Sequence, residues 1–168
     1  MPTVGVILPV PRPAGGELDE YRTALSGYPP PTPAHITLVP PTEIETDEWP
    51  AVVEHLASAA AVTAPFDVHI RGTGTFRPVS AVVFVGVVAG ISSCEVLAGR
   101  LRAGPLHTRQ RFPYHPHVTI AHDLPDDQLD RAFDEQALFD TAWAVTAFTL
   151  YESTHQGWQA RRDFRLGR

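Results

Sequence analysis

Two short stretches of the chain, Pro33-Ala34-His35-Ile36-Thr37-Leu38 and His115-Pro116-His117-Val118-Thr119-Ile120, follow the same pattern. Each contains a histidine, an apolar residue, a threonine and a second apolar residue, with a proline one or two positions before the histidine. Alternate residues of a strand share a face. Each stretch therefore predicts a strand with an imidazole and a hydroxyl side by side on one face and two apolar anchors in the core.

The hydrophobic periodicity of the remaining segments predicts further strands and helices. We expect Gly72-Thr73-Gly74 to end the third strand and the last two strands to form a hairpin. The predicted strands are Thr3–Val10, His35–Val39, Phe66–Ile70, Ala81–Val88, His117–His122, Trp143–Tyr151 and Trp158–Leu166. The predicted helices are Glu17–Leu25, a helix starting near Thr46, Ile91–Leu101 and Pro125–Leu138. The sequence thus predicts a single α+β domain over residues 1–168, with antiparallel strands.

Charge and composition exclude several classes of protein. The chain has 168 residues, a net charge of −6 and 13 cationic side chains, all of them arginine. Without lysine there is no Walker A lysine, Schiff-base lysine or lysyl-nucleotide intermediate. The acidic balance also argues against binding of a long nucleic acid, which depends on clustered cations. A nucleotide or one short RNA end remains as a candidate ligand. The basic stretch Arg100–Arg111 is interpreted as a solvated face.

The single cysteine and the hydropathy pattern indicate the cellular setting. Cys94 alone allows no internal disulfide and no thiolate cluster, which is typical of a reducing compartment. The first ten residues lack the basic region of a signal peptide. The longest apolar run, Ser80–Ile91, is shorter than the roughly 20 residues of a bilayer span. We expect a cytoplasmic monomer with no membrane partner.

The repeated motif suits phosphodiester chemistry. One neutral imidazole can accept a proton from an attacking hydroxyl or water, and one imidazolium can donate a proton to the leaving oxygen. Two threonine hydroxyls can donate hydrogen bonds to non-bridging phosphate oxygens. This arrangement requires no metal and no cofactor.

Four further residues are candidates for the site or its surroundings, and two of them, Tyr114 and Arg77, have two interpretations each. Tyr114 could stack on a base or lie at the edge of the core. Arg77 could contact phosphate in a bidentate manner or be a solvated surface arginine. His115 has the same parity as His117 and Thr119, but Pro116 interrupts the alternation, so a loop position is expected. His122 has the opposite parity, and we expect it to face away from the motif side chains.

The paired motif resembles the two-histidine (2H) phosphoesterase superfamily, and more closely its 2′-5′ RNA ligase-like, or LigT-like, branch. Val4–Pro9 is similar to the opening strand of that family, and Leu150–Ser153 followed by Gly157 to its closing hairpin. The resemblance covers nearly the whole chain. It implies two pseudo-symmetric lobes of antiparallel sheet flanked by helices, which face each other across a central groove.

The resemblance also implies an activity. Family members open 2′,3′-cyclic phosphates on nucleotides or RNA ends, usually leaving a 2′-phosphate, and some join RNA ends through a 2′-5′ linkage without ATP. On this basis His35 and His117 are the general acid and base, in either order, and Thr37 and Thr119 hold the phosphate. Many relatives have a cation after the second motif, where this chain has Ala121 and His122. We therefore expect a small cyclic nucleotide or a short RNA end as substrate.

Two other functions are compatible with the same residues. One is a non-catalytic module that binds a nucleotide or RNA end in the same pocket. The other is a metal-dependent hydrolase with zinc on His35, His115 and His117, since sites with three histidines exist.

Overall fold

The computed structural model describes residues 1–107 and 112–167. Thr108–Arg111, at the end of the basic stretch, and Arg168 lie outside the described residues. The strands are β1 (Thr3–Pro9), β2 (His35–Glu43), β3 (Phe66–Thr75), β4 (Val82–Ala89), β5 (His117–His122), β6 (Asp140–Val145), β7 (Ala147–Thr154) and β8 (Gly157–Arg165). The helices are α1 (Ala14–Ser26), α2 (Trp49–Ala61), α3 (Ile91–Leu101) and α4 (Asp126–Glu135), with short 3₁₀ turns at Thr46–Glu48 and Gly104–Leu106.

All eight strands belong to one antiparallel sheet with the order β6-β3-β4-β5-β2-β1-β7-β8. The two motif strands, β5 and β2, are neighbours at its centre. Moving outward from them, each half has three more strands, so the sheet divides into two lobes of four. This arrangement confirms the α+β fold with two pseudo-symmetric lobes.

The two lobes meet at a narrow junction. β2 and β5 are paired through one position, Ile36 opposite Val118. Antiparallel pairing at this point places His35 near Thr119 and Thr37 near His117. Each lobe therefore contributes one imidazole and one hydroxyl to the centre of the sheet.

Each motif strand has a β-bulge directly after its threonine. In β2, Val6 pairs with Val39 and Ile7 with Thr37, so Leu38 is the extra residue. In β5, Val83 pairs with Ala121 and Phe84 with Thr119, and Ile120 is the extra residue. A bulge reverses the alternation of side chains beyond it. Consecutive residues are accordingly buried at both bulges, Leu38 with Val39 and Ile120 with Ala121.

The apolar residues of the motifs anchor the strands in the core. Ile36, Leu38, Val118 and Ile120 are each at most 2% exposed. They belong to one hydrophobic cluster that includes residues from all four helices. Burial of a side chain of this size contributes about 1.5–3 kcal/mol. The buried anchors therefore keep the histidine and threonine side chains on the opposite face of the sheet.

Among the described residues, no helix has the length and apolar character of a bilayer span.

The prediction of one strand over Trp143–Tyr151 is wrong. The chain forms two strands here, β6 and β7, separated at Thr146. β6 pairs with β3 in the lobe that contains β5, whereas β7 pairs with β1 in the lobe that contains β2. Burial alternates along β6, whereas Phe148, Thr149 and Leu150 of β7 are all buried. The alternating sequence pattern does not reveal this change of partner. The predicted terminal hairpin is confirmed as β7 and β8.

The prediction that Gly72-Thr73-Gly74 ends a strand is also wrong. β3 continues through these residues to Thr75, with an irregular register between Ile70 and Thr73. Gly72 has a φ of +71°, and a Cβ on Gly74 would lie 2.6 Å from the ring of Phe84. The glycines therefore permit an irregularity and a close ring contact within the strand.

Two adjacent glycines in the first turn of α1 provide a test of how closely this helix approaches Val10. A Cβ on Gly15 would lie 2.0 Å from the carbonyl oxygen of Val10, whereas a Cβ on Gly16 would meet nothing within 4 Å. We expect Gly15→Ala to lower the free energy of unfolding by about 1–3 kcal/mol, because the helix must move away from Val10. Gly16→Ala should raise it by about 0.5–1 kcal/mol through helix propensity. Urea denaturation followed by circular dichroism measures both, and equal changes would contradict the close approach.

Candidate functional site

The four polar side chains of the motifs line one groove. His35, Thr37, His117 and Thr119 are all in its walls, and the volume of the groove is about 690 Å³. Each of these residues is half-buried, while the residues between them are fully buried. The groove thus has two imidazoles and two hydroxyls from opposite lobes around its centre.

Both imidazoles are oriented in the same way. Nδ1 of His35 lies 2.7 Å from the carbonyl oxygen of Pro33, and Nδ1 of His117 lies 2.6 Å from that of His115. Because a carbonyl oxygen only accepts, Nδ1 carries the hydrogen in both rings. Nε2 is then the ring nitrogen that accepts a proton in the neutral form and donates one in the charged form.

The two threonine hydroxyls are available to a ligand. Among residues 1–107 and 112–167, neither the Thr37 nor the Thr119 hydroxyl makes a hydrogen bond within the protein, and no unpaired side-chain polar atom is sealed in the interior. Both hydroxyls therefore reach the solvent of the groove. They can donate to the oxygens of an anion bound there.

Two side chains hold the backbone of β2 at its bulge. The Tyr114 hydroxyl donates to the carbonyl oxygen of Thr37 at 2.8 Å, and Nε of Arg102 donates to that of Leu38 at 2.6 Å. The Arg102 guanidinium also lies over the Tyr114 ring, 4.8 Å from its centroid. Burial raises the pKa of Tyr114 well above its usual range, so its hydroxyl stays a donor. Tyr114 does not line the groove; its hydroxyl holds the Thr37 backbone.

His117 is surrounded by aromatic rings. The Phe76 ring meets it edge-on at a centroid distance of 4.9 Å, Phe84 lies at 5.2 Å and His115 at 5.6 Å. The exposed His115 is thus beside the second motif but is not part of the groove wall. In the part of the chain that the structure describes, no three histidine, cysteine, aspartate or glutamate side chains are grouped as metal ligands.

Burial lowers the pKa of both motif histidines below the usual 6.5. For His35, desolvation is the largest cause, and the positive charges of Arg22 and of His117 lower the pKa further. For His117, desolvation is again the largest cause, and its bond to the His115 carbonyl opposes it. Neutral pH therefore favours the uncharged form of both rings, and an anion bound between them favours protonation of one of them.

Arg77 is engaged away from the groove. Its Nη1 atom lies 2.9 Å from a carboxylate oxygen of Asp130 and 3.7 Å from one of Asp126, both on α4. Its Nε atom donates to the Thr75 hydroxyl at 3.2 Å. The structure thus places Arg77 between β3 and α4, and it is not among the residues that line the groove.

The expectation that His122 faces away from the motif side chains is wrong. His122 lines the groove together with His117 and Thr119. The bulge at Ile120 reverses the alternation, so His122 lies on the same face as the motif side chains despite its odd spacing. A parity argument from sequence assumes a regular strand and fails at this position.

Sequence reasoning did not single out Arg22, Tyr28 or Trp158, which also line the groove. Arg22 lies on α1, next to the apolar stripe that begins with Leu18. An arginine four residues after a core leucine is on the inner edge of a helix, and this was the available signal. Among the described lining residues, Arg22 is the one permanently charged side chain, and none is a carboxylate.

Comparisons with known proteins agree with this fold. A protein of Oceanobacillus iheyensis, described as a candidate phosphoesterase, is 30% identical over 139 residues, which is 81% of each chain. A crystal structure from Thermus thermophilus has 25% identity and a TM-score of 0.71 over 98% of this chain and 97% of its own. Escherichia coli LigT, complexed with 3′-AMP, has 20% identity and a TM-score of 0.72 over 100% of both chains. The model of the 2′-5′ RNA ligase superfamily matches residues 10–157, and the chain belongs to that superfamily.

Proposed function

We propose that the protein is a metal-independent phosphodiesterase that opens a 2′,3′-cyclic phosphate on a nucleotide or a short RNA end. One observation supports this most strongly. Two imidazoles with equivalent tautomers and two unpaired hydroxyls come from opposite lobes to one groove, and no carboxylate is present among its described lining residues. This set of groups matches an anionic phosphorus centre that is attacked from one side and released on the other.

The reaction would proceed by general acid–base catalysis. Nε2 of one neutral histidine removes a proton from water as the water oxygen bonds to phosphorus. The bond from phosphorus to one ribose oxygen breaks, and the second histidine, protonated at Nε2, gives that oxygen its proton. The Thr37 and Thr119 hydroxyls donate to the non-bridging oxygens, where negative charge increases in the transition state. If the 5′-hydroxyl of a second RNA end replaces water and the 3′-oxygen is the leaving group, the same step forms a 2′-5′ linkage without ATP.

The rest of the groove favours a nucleotide over a bare phosphate. Tyr151 and Trp158 lie in its wall along β7 and β8, beside Gly5. The six-membered ring of Trp158 lies close to Gly5, with atoms 3.7 and 3.9 Å from a Cβ placed there. Aromatic side chains of this kind stack on nucleobases. Solved complexes of LigT with 3′-AMP, ATP and NADP⁺ support a nucleotide as the ligand class for this fold.

The direct test is incubation of the purified protein with adenosine 2′,3′-cyclic phosphate in the presence of EDTA. We expect complete conversion to a single phosphomonoester, identified as the 2′- or 3′-isomer by chromatography. Saturable binding of 2′-AMP without turnover of any 2′,3′-cyclic nucleotide would favour the non-catalytic binding module instead. Activity that EDTA abolishes and zinc restores, together with stoichiometric zinc by elemental analysis, would favour the metal-dependent hydrolase.

A further inference from the structure

We propose that Arg22 forms an anion subsite at one end of the groove and binds a second phosphate of the substrate, on the 5′ side of the nucleotide that carries the cyclic phosphate. This inference rests on the proposed function, because it concerns which cyclic nucleotides are preferred. It assigns a role to a half-buried charge that the acid–base step does not use.

The two ends of the groove differ in chemistry. The strands β2 and β5 are antiparallel and meet at Ile36 and Val118, so the end of β5, with His122, lies beside the start of β2, with His35. Arg22 and Thr32 line this same end. The opposite end has the apolar and aromatic wall formed by Val39, Pro41, Tyr151 and Trp158. Tyr28 and Pro29 also line the groove, but Arg22 is the one permanently charged side chain among its described lining residues. The end with Arg22 therefore suits an anion, and the wall with Tyr151 and Trp158 suits a nucleobase.

Arg22 is a half-buried cation that is held in place. Its side chain is 16% exposed, and Nη1 donates to the carboxylate of Asp19 at 3.2 Å and to the carbonyl oxygen of Thr32 at 3.1 Å. Asp19 also accepts from the backbone N–H of Ala34 at 2.8 Å. These bonds connect α1 to the segment directly before His35, so the position of the guanidinium is coupled to that of the first motif.

The remaining nitrogens of Arg22 are free to bind a ligand. Both hydrogen bonds of the side chain leave from Nη1. Among the residues that the structure describes, Nε and Nη2 have no acceptor, and no such atom is sealed from solvent. A guanidinium presents neighbouring N–H groups in a planar fork that matches two phosphate oxygens. The free side of Arg22 is therefore a preformed donor pair in the wall of the groove.

The geometry of a nucleotide fits this polarity. In a ribose 2′,3′-cyclic phosphate the base and the 5′ carbon leave the ring from opposite ends, with the cyclic phosphate between them. When the phosphorus lies between His35 and His117, the base extends toward Tyr151 and Trp158. The 5′ carbon, with any phosphate on it, then extends toward Arg22. A 5′-phosphorylated nucleotide or the last nucleotide of an RNA end has an anion at this position.

The test compares two substrates, adenosine 2′,3′-cyclic phosphate with and without a 5′-phosphate, in the wild-type protein and in Arg22→Gln, Arg22→Lys and Asp19→Asn variants. We expect the wild-type kcat/KM to be about tenfold higher for the 5′-phosphorylated compound, mainly through KM. The ratio should fall to about one in Arg22→Gln and be intermediate in Arg22→Lys, which keeps the charge without the fork.

Asp19→Asn separates a binding role from a structural one. This variant keeps an oxygen acceptor for Ala34 and Arg22 but removes the negative charge beside the guanidinium, so the ratio should be at least that of the wild type. Three outcomes would overturn the proposal: a wild-type ratio near one, an equal loss on both substrates in Arg22→Gln, or a loss of the ratio in Asp19→Asn. Thermal denaturation checks that each variant is folded.

A failure of the proposed function would look different. If the wild type hydrolyses neither compound, the cyclic phosphodiesterase assignment fails, and calorimetric binding still tests the subsite. Adenosine 2′,5′-bisphosphate should then bind to the wild type about tenfold more tightly than 2′-AMP does. The two compounds should bind to Arg22→Gln with equal affinity. Equal affinities in the wild type would reject the subsite independently of catalysis.

Discussion

Replacement of either motif histidine should lower the hydrolysis of adenosine 2′,3′-cyclic phosphate by at least two orders of magnitude. In His35→Ala and His117→Ala, one of the two proton transfers at Nε2 is lost, and general acid–base catalysis typically contributes about 10²–10⁴-fold. The loss should be in kcat more than in KM, because the threonine hydroxyls and the groove walls remain. Single-turnover measurement with excess enzyme gives the chemical step directly.

A matched control uses a histidine far from the groove. His155 is exposed in the turn between β7 and β8, and His155→Ala should retain wild-type kcat and KM. Combination of His35→Ala with His117→Ala should cost little more than one replacement, since residues that act as a unit are not additive. Full activity in either single variant would show that the proposed acid–base pair is not the catalytic pair.

The value of kcat/KM should depend on pH as a bell-shaped curve with its maximum on the acidic side of 6.5. Activity needs one neutral and one charged ring, and burial lowers the pKa of both His35 and His117 from that value. As pH falls from 8 toward 6.5, kcat/KM should rise about tenfold per unit, because the singly protonated pair becomes more populated. Below the maximum it falls again as the second ring is protonated.

The position of the maximum for kcat should be higher than that for kcat/KM. kcat/KM reports the free enzyme and kcat the complex, and a bound phosphate anion raises the pKa of the rings beside it. Initial rates over a range of substrate concentrations at each pH separate the two profiles. A kcat/KM maximum above pH 6.5 would contradict the lowered pKa values.

The lowered pKa values of His35 and His117 also predict how the free energy of unfolding changes with pH. A histidine whose pKa is lower in the folded protein binds more protons when the chain is unfolded, so the free energy of unfolding rises with pH in that interval. This contribution is complete above 6.5 and is lost as pH falls below it. Urea denaturation at several pH values should show this decrease, and it should be shallower in the double variant His35→Gln/His117→Gln.

The sequence alone determined the local structure of the site. The alternation of His35, Ile36, Thr37 and Leu38 is sufficient to place an imidazole and a hydroxyl on one face, since a core anchors the opposite face. The repetition of this pattern in β5 predicted a second imidazole and hydroxyl, and the resemblance to the two-histidine phosphoesterases implied two related lobes. Most strand and helix positions also followed from periodicity, because each element has one apolar side.

The tertiary structure alone decided what surrounds the motif side chains. The bulges at Leu38 and Ile120 turned His122 into the groove, and the hydroxyl of Tyr114 was used to hold the Thr37 backbone. Arg22 reached the groove because α1 packs beside β5, far away along the chain. A periodic pattern records which side of an element is buried, whereas the identity of the neighbours depends on contacts between segments distant in sequence.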